Sequence, residues 1–544
     1  MENHVSLLQS KFTFDNRFVN NLPADQEPEK FTRQVHNAAY SFVMPTKVAA
    51  PKVIAIDEAL ANELGFEDKD LSDPLFSDVV AGNAILDGMA PYAMNYGGHQ
   101  FGNWAGQLGD GRAINLGELV TPKGEHRILQ LKGAGITPYS RSGDGLAVLR
   151  SSVREFLCSQ AMEHLGIATT KALSLSLTGE DVMRDIMYNG NAALEPGAVV
   201  CRVSSSFTRF GHFQLPAFRQ DTELLKALAD HTIAADFPHL LEKGLSSQDE
   251  AIGKETYLRW FEEVCQRTCK MVVGWQRVGF VHGVMNTDNM SIVGETIDYG
   301  PYGWIDDFDV NFTPNTTDRQ HKRYRFGTQG EIAQWNLFQL ANAIYPLVEE
   351  AQPLEALLNQ FADDYQLAWR EMMAQKLGLK GYQDAEDLAL FESLEALLSL
   401  VETDMSIFYR QLSKVDLSQA LSDSATWLDT LKEAYYQQEE LSETYLSQMA
   451  AWLEKWQQRV IQDNRSDELR VSQMNSVNPK YVLRNYLSQQ AIDAAQQGDY
   501  SEIHHLQKLL RHPYDEQPEF ECYAKKRPDW ARDKVGCSML SCSS

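Results

Sequence analysis

The pattern of apolar and polar positions changes in character along the chain. Four short apolar runs are typical of β-strands: residues 113–116, 128–131, 172–177 and 198–203. The first two flank a turn at Gly124, which indicates a hairpin. Residues 151–165 carry apolar side chains at helical spacing and predict a helix. Residues 1–90 show no regular period and contain acidic, proline-bearing stretches, so we expect an irregular segment there.

Helical periodicity dominates the second half of the chain. It predicts helices over residues 260–275 and 332–344, and further leucine-, glutamate- and glutamine-rich helices continue to about residue 463. The exception is residues 291–297, where Gly294 and Glu295 suit the centre of a two-residue hairpin loop. The order of elements predicts an α+β fold, with a small sheet-rich lobe before a large helical one.

The size of the chain fits this picture. Its 544 residues correspond to about three domains, or to one large domain with additions, at roughly 100–200 residues per domain. Apolar residues make up 43%, which is enough for a sizeable core and argues against wholesale disorder.

The net charge of the chain limits the kinds of ligand and partner that it can bind. The chain has 49 Lys and Arg against 75 Asp and Glu, a net charge of −26. This balance argues against a nucleic-acid binder and against docking on anionic membranes. A nucleotide ligand stays possible if a few cations are concentrated at one site. No 18-residue apolar stretch and no signal-peptide pattern are present, so we expect a cytoplasmic protein without membrane spans.

Two segments carry candidate phosphate-binding residues. Gly109 and Gly111 would let backbone amides approach a phosphate, and Arg112 would add a cation. Arg202 and Arg209 flank a Ser/Thr-rich turn and could clamp a polyphosphate. Each segment taken alone also fits a simpler interpretation, a hairpin turn for the first and surface ion pairs for the second.

Lys132 closes the apolar run at 128–131, and Glu155 lies on the following predicted helix. A Lys–Glu ion pair would aim the ammonium group at phosphates. The alternative is that Ser152 and Glu155 form a capping box at the start of their own helix. The residues alone leave both interpretations open.

A third group of residues surrounds the predicted hairpin at 291–297. The predicted register places Ser291 opposite Asp298, with Asn289 two residues beyond Ser291. An amide oxygen and a carboxylate that converge in this way would suit Mg²⁺ with phosphate co-ligands. Asp288 beside them could accept a proton from an incoming nucleophile. The alternative is a pair of polar loops that merely flank a hairpin.

These features together resemble the signature of a protein kinase: a Gly-rich loop, a strand Lys, a helix Glu, a His-led catalytic loop and Asp298-Tyr299-Gly300 in place of D-F-G. In the kinase loop H-R-D-x-x-x-x-N the Asp lies two residues after His, but here Val284 stands two residues after His282. Asn289 keeps its spacing, and an acid appears at Asp288. This departure, with residues 95–102 (NYGGHQFG), 131–135 (LKGAG) and 138–141 (PYSR), resembles the selenoprotein O (SelO, YdiU) pseudokinase family over essentially the whole chain.

The resemblance implies a protein adenylyltransferase with a kinase-like two-lobed fold. Such an enzyme binds ATP in an orientation flipped relative to kinases, and it transfers AMP to Ser, Thr or Tyr hydroxyls of proteins with release of diphosphate. The residues that would contact ATP are Gly109, Gly111, Arg112, Lys132, Asp144, Gly145, Arg202, Arg209 and Asp298. Asp288 would accept the proton, Glu155 would pair with Lys132, and Asn289 with Asp298 would hold Mg²⁺ or Mn²⁺.

The resemblance also bears on the C-terminus. Family members with selenocysteine carry it third from the end, where this chain has Cys542. We therefore identify a cysteine-containing form, in which Cys537 or Cys542 could take part in a regulatory disulfide. A tail with an incidental thiol is the alternative.

The predicted organisation has four parts. An N-terminal extension spans residues 1–90, a kinase-like N-lobe 91–205, a C-lobe 206–350 and a helical C-terminal region 351–544. Partners are ATP and acceptor proteins; the sequence does not fix the oligomeric state, and a monomer is compatible with it. Two other functions stay open: a conventional kinase that uses Asp288, and a non-catalytic nucleotide-binding scaffold. A complete set of Lys132, Glu155, Asn289 and Asp298 argues against the scaffold.

Overall fold

The structure is a computed structural model that describes residues 6–187, 189–241 and 252–541. The strands of these residues are β1 (Tyr40–Phe42), β2 (Lys52–Ile56), β3 (Tyr92–Met94), β4 (Gly97–Gln100), β5 (Asn103–Gln107), β6 (Ala113–Val120), β7 (His126–Lys132), β8 (Ala147–Val148), β9 (Lys171–Arg184), β10 (Ala193–Ser204), β11 (Phe280–Val281) and β12 (Gly303–Trp304).

The helices begin in the N-terminal segment and dominate the second half of the chain. They are α1 (Arg17–Asn21), α2 (Glu58–Leu64), α3 (Asp68–Leu71), α4 (Pro74–Ala81), α5 (Leu149–His164), α6 (Phe210–Phe218), α7 (Thr222–Asp236), α8 (Lys254–Val278), α9 (Gln329–Val348), α10 (Ala351–Lys376), α11 (Ala385–Leu398), α12 (Met405–Leu412), α13 (Ser424–Leu431), α14 (Glu443–Gln462), α15 (Asp467–Val477), α16 (Asn485–Gln496) and α17 (Ser501–Leu510). The fold is mixed α and β, as predicted.

The main sheet is antiparallel and runs in the order β1-β3-β6-β7-β10-β9-β2, with β8 beside β10. Both ends of this order, β1 and β2, come from the N-terminal 90 residues. The expectation of an irregular segment there is therefore wrong. These strands are only three and five residues long and form by pairing with distant β3 and β9, so the local sequence carries no clear period.

The predicted elements are present with longer bounds. The four apolar runs lie in β6, β7, β9 and β10, and Gly124 takes a φ of +79° in the turn between β6 and β7. The three predicted helices correspond to α5, α8 and α9. Helix α5 begins at Leu149, with Val148 as its N-cap and no side-chain cap. Since Ser152 therefore lies inside the helix, the capping-box interpretation of Glu155 is wrong.

The predicted register of the hairpin at 291–297 is also wrong. Met290 forms an isolated antiparallel bridge with Thr296, and no strand of a hairpin forms among the described residues on either side of the turn. The Gly294 N–H donates to the Ser291 carbonyl at 3.2 Å, so Gly294, at φ +75°, ends the turn. The backbone of Thr296 is bonded elsewhere: its N–H donates to the Ala168 carbonyl at 2.8 Å, and its carbonyl accepts from Thr170 at 3.1 Å.

Two features of the packing position the site. The C-terminal helices α16 and α17 pack against α5, which carries Glu155. The Arg154 guanidinium donates to the Tyr302 carbonyl at 2.7 Å, and the Tyr302 hydroxyl donates back to the Arg154 carbonyl at 2.8 Å. Helix α5 is thus fixed to the segment that follows Asp298. Much of residues 372–474 forms a separate core, and the four-part division of the chain stays a prediction.

Candidate active site

A cavity of about 840 Å³ lies beside the main sheet. It brings together eleven of the predicted site residues: Gly109, Gly111, Arg112, Lys132, Asp144, Gly145, Arg202, Arg209, Asp288, Asn289 and Asp298. They come from segments separated by up to about 190 positions, so only the folded chain places them around one space. Their functional roles stay predictions at this stage.

Two loops of the cavity require glycine. Gly109 has a φ of +70°, and a Cβ there would lie 2.4 Å from the Tyr139 ring. Gly145 has a φ of +72°, and its Cβ would lie 2.1 Å from the Gly135 carbonyl oxygen. The segment with Gly109 and Gly111 joins β5 to β6, which are not partners, so the interpretation as a plain hairpin turn is wrong.

A row of polar side chains across the sheet fixes Arg202. In the register of β6, β7 and β10, Asn115 lies opposite Gln130, and Gln130 lies opposite Arg202. The Gln130 amide donates to Asn115 Oδ1 at 2.9 Å and accepts from the Arg202 guanidinium through Oε1. All three side chains are buried. The row therefore orients Arg202 before any ligand binds.

The charged groups form a continuous chain of ion pairs. Lys132 Nζ lies 2.5 Å from Glu155 Oε2, and Glu155 Oε1 lies 3.1 Å from Arg202 Nη1. Arg202 Nη1 lies 2.8 Å from Asp298 Oδ1, and Arg209 contacts the other oxygen of Asp298. The Lys132–Glu155 pair is thus present, and the two arginines form buried rather than surface ion pairs. We call these five residues the active-site ion chain.

Burial and neighbouring charges compete within this ion chain. Burial lowers the pKa of Lys132 to about 8, although Glu155 opposes the shift. Burial alone would raise the pKa of Asp298, but the charges of Arg209, Arg202 and Lys132 outweigh it and hold that pKa well below its usual range. Asp298 also has a φ of +60°, a strained conformation of the kind that clusters at functional sites.

Asp288 differs from the carboxylates of the ion chain because none of the described residues gives it a cationic side-chain partner. Its Oδ2 accepts from the Gln100 amide at 3.1 Å, and its Oδ1 is buried without a hydrogen-bond partner. Burial raises the pKa of Asp288 to about 6, against the opposing effects of Gln100 and the Arg209 charge. A carboxylate with one free oxygen and this pKa suits a general base near neutral pH.

Asn289 and Asp298 carry the oxygen donors that a metal ion in the cavity would need. The Asn289 amide nitrogen donates to the Val284 carbonyl at 2.9 Å, which leaves its own carbonyl oxygen as an acceptor. Among the described residues no cluster of three or more His, Cys, Asp or Glu could hold a metal by itself. Mg²⁺ typically takes one or two protein oxygens and completes its shell with phosphates and water. By donor type the two residues fit such a metal, although both oxygens of Asp298 are paired with Arg202 and Arg209 in this structure.

Two predicted residues lie at the mouth of the cavity. Asp144 is half-exposed and pairs with Arg184 at 2.7 Å, while its Oδ1 accepts from the Leu146 N–H at 3.0 Å. Arg112 is exposed and has no side-chain partner within the part of the chain that the structure describes. Arg112 is therefore free to meet an anion that enters the cavity.

Sequence reasoning from residue chemistry missed the residues that pack on Asp288. A Cβ on Gly98 would lie 2.9 Å from Asp288 Oδ1, so the close approach of β4 to the loop requires glycine. The His99 N–H donates to Thr287 Oγ1 at 2.7 Å, and Gln100 holds Asp288 itself. The adjacent glycines at 97 and 98 could have indicated this close approach, but from the sequence they contributed only to the family resemblance.

The predicted redox cysteines are only partly covered by the structure. Cys542 lies outside the described residues. Cys537 is buried, and burial raises the pKa of its thiol to about 11. A buried thiol with a high pKa is a poor nucleophile as it stands. A disulfide that involves either residue stays a prediction.

Comparison with known proteins places the chain in a family. The family model described as protein adenylyltransferase SelO matches residues 26–511. The chain belongs to this family. The family resemblance of the sequence is therefore confirmed, and so is the predicted enzyme class, a nucleotidyltransferase. No helix among the described residues is long and apolar enough to cross a membrane.

Several curated relatives are similar over nearly their whole length. The chain is 56% identical over 539 residues to the protein nucleotidyltransferase YdiU of Rhodopirellula baltica, covering 98% of this chain and 99% of the relative. It is 54% identical over 531 residues to the protein of the same name from Xanthomonas campestris pv. campestris, with 98% and 99% covered. For Flavobacterium johnsoniae the identity is 52% over 530 residues, with 97% and 99% covered.

Proposed function

We propose that this protein transfers AMP from ATP to Ser, Thr or Tyr hydroxyls of other proteins and releases diphosphate. Family membership supports the reaction class. The observation that carries the proposal for the site is one cavity lined by every member of the active-site ion chain except Glu155 and also by Asp288, whose Oδ1 has no partner among the described residues. The first set suits a polyphosphate, and the second suits an incoming hydroxyl.

ATP occupies the cavity with its β- and γ-phosphates toward the cations. Lys132, Arg202 and Arg209 are already aligned by Glu155 and Asp298, and Arg112 is free at the mouth. When AMP is the group transferred, the leaving diphosphate carries the developing negative charge, so cations gathered around it stabilise the transition state. This arrangement supports the flipped orientation of ATP and a kinase-like two-lobed fold, with α5 and its Glu155 in the role of the kinase helix that carries Glu.

The reaction then requires one proton transfer, from the acceptor hydroxyl to Asp288. Asp288 Oδ1 accepts the proton of the acceptor hydroxyl while the hydroxyl oxygen forms a bond to the α-phosphorus. The bond between the α-phosphorus and the bridging oxygen breaks, and diphosphate leaves with that electron pair. Gln100 holds the other oxygen of Asp288, so Oδ1 is the oxygen left to accept the proton. Mg²⁺ or Mn²⁺ held by Asn289 and Asp298 would add positive charge at the phosphates.

Labelled ATP distinguishes this function from the two alternatives. With ATP and Mg²⁺, protein should acquire label from α-³²P-ATP and none from γ-³²P-ATP. Label from the γ position alone would establish a kinase that uses Asp288. No transfer of either label, together with ATP binding, would favour a scaffold. Asp288→Asn should abolish the α label, and Asp429→Asn, at an exposed carboxylate on α13, is the matched control.

A further inference from the structure

A strongly basic segment lies in this acidic protein. Residues 319–325 contain four cations, Arg319, Lys322, Arg323 and Arg325, although the whole chain has a net charge of −26. None of the four forms an ion pair within the described part of the chain. The acid next to them, Asp318, is bonded to backbone instead, since it accepts from the N–H groups of residues 323 and 324 at 2.9 and 2.7 Å. We call residues 319–325 the basic segment.

The basic segment lies against the loop that carries Asp288. The Tyr324 hydroxyl donates to Asn286 Oδ1 at 2.6 Å and accepts from the Phe101 N–H at 2.9 Å. A Cβ on Gly102 would lie 3.3 Å from the Arg323 guanidinium carbon. The connection between β4 and β5 thus lies between the basic segment and the reacting carboxylate. A molecule bound on the basic segment is therefore close to the mouth of the active site.

Aromatic side chains continue this surface away from the cavity. The Arg323 guanidinium stacks on Trp335 at 4.7 Å, and the His99 ring contacts both Trp335 at 5.5 Å and Trp104 at 5.1 Å. Trp104 in turn contacts Phe218 at 4.8 Å, and Phe218 is 67% exposed. Exposed aromatic residues beside unpaired arginines are typical of protein-binding surfaces.

Arg323 adds a second sign of a missing partner. Its Nε and Nη2 are buried and have no hydrogen-bond partner among the residues that the structure describes. Such groups are rare in native proteins and usually meet a ligand or an ordered water. A nucleotide in the proposed ATP cavity would not explain them, because none of the four cations of the basic segment lines that cavity.

We propose that the basic segment and the aromatic side chains beside it bind the acceptor protein through an acidic segment that flanks the hydroxyl residue. The proposal rests on the proposed function and specifies its acceptor class. Charge complementarity selects the occupant: four unpaired cations attract carboxylates, while the rest of the acidic surface repels an acidic protein that approaches elsewhere. Apolar side chains of the same acceptor segment pack on Trp104, Trp335 and Phe218.

The test compares two fluorescein-labelled peptides with one central Tyr, flanked either by Asp and Glu or by Lys. Binding is measured by fluorescence anisotropy without ATP, and AMP transfer is measured with α-³²P-ATP and Mg²⁺. The variant is the double charge reversal Arg319→Glu with Lys322→Glu, whose side chains make no ion pair. The matched control reverses two remote exposed cations, Lys123→Glu with Arg511→Glu, and changes the net charge equally.

We expect the wild type to bind the acidic peptide more tightly than the basic one, by about tenfold or more, because several favourable charge pairs combine. The preference should shrink as salt is added. Arg319→Glu with Lys322→Glu should abolish or invert the preference and raise KM for the acidic peptide, while kcat stays similar. The control should keep the wild-type preference.

Three results would overturn the proposal: equal binding of both peptides, an equal loss in the control variant, or binding of a single-stranded oligonucleotide of the same net charge as tightly as the acidic peptide. The last would indicate a general polyanion surface. The proposed function fails separately. Neither peptide would then acquire AMP, while anisotropy would still show the preference for the acidic peptide and its loss in Arg319→Glu with Lys322→Glu. That result would support acceptor binding at the basic segment and contradict adenylyl transfer.

Discussion

Two networks of buried ion pairs in this protein are held together by the same interactions but differ in what surrounds them. One is the active-site ion chain from Lys132 to Arg209. The other lies among the C-terminal helices, where Arg484 contacts Asp306 and Asp404 at 2.8 Å each. In both networks arginines and carboxylates are withdrawn from water and stabilise each other.

In the second network the protein's own donors satisfy the carboxylate at its centre. Asp404 accepts from Arg484, from the Ile407 N–H at 3.0 Å and from the Tyr436 hydroxyl at 3.3 Å, so its oxygens are used within the protein. Beside the first network lie a cavity of about 840 Å³ and an unpartnered oxygen of Asp288. The comparison indicates that buried charged residues alone do not identify a ligand-binding site. Buried charged residues beside a cavity and a polar atom without a partner do identify one.

The largest expected effect comes from removing the central carboxylate of the active-site ion chain. Asp298→Ala should lower AMP transfer by about 100- to 1,000-fold, because it removes a proposed metal ligand and leaves Arg202 and Arg209 without their shared partner. The measurement is the rate of α-³²P incorporation, with Asp429→Ala as the control. Activity within a few-fold of the wild type would remove Asp298 from the site.

The matching change in the second network should affect stability and spare activity. Arg484→Met leaves Asp306 and Asp404 buried with less compensation, and the free energy of unfolding should fall by about 3–5 kcal/mol. AMP transfer per folded molecule should be unchanged. Urea unfolding followed by tryptophan fluorescence measures the first quantity. A loss of specific activity at full folding would show that this network also acts in the reaction.

The pH dependence of AMP transfer should reflect the groups in the active-site cavity and should not reflect the second network. The pKa of Asp288 is raised to about 6 and that of Lys132 is lowered to about 8. Asp288 must be ionised to accept a proton and Lys132 must be protonated to hold phosphate. We therefore expect kcat/KM for ATP to rise up to about pH 6 and to fall above about pH 8, by about tenfold per pH unit outside these limits.

Lys132→Arg is the control for the alkaline limb, because a guanidinium stays charged and should extend activity above pH 8. Arg484→Met should leave both limbs where they are. A flat profile between pH 5 and 9 would contradict the assignment of Asp288 and Lys132.

The sequence predicted which residues lie around one cavity more accurately than it predicted the strand pairing around them. Lys132, Glu155 and Arg202 were identified because a strand end, a helix and a polar turn have distinct chemistry in their own short segments. The hairpin register failed because Thr296 bonds to residues 168 and 170, which no local pattern reveals. The strands at both ends of the sheet were missed for the same reason. Gln100 and Gly98 act on Asp288 across about 190 positions, and only the folded chain shows it.

The central claim is that the cavity with the active-site ion chain and Asp288 transfers AMP from ATP. Intact-mass spectrometry of the protein and of an acceptor peptide after incubation with ATP and Mg²⁺ tests it most directly, in the wild type and in Asp288→Asn. We expect a mass gain of one AMP on the acceptor with the wild type and none with Asp288→Asn. A gain of one phosphate instead, or an equal AMP gain with both proteins, would contradict the account.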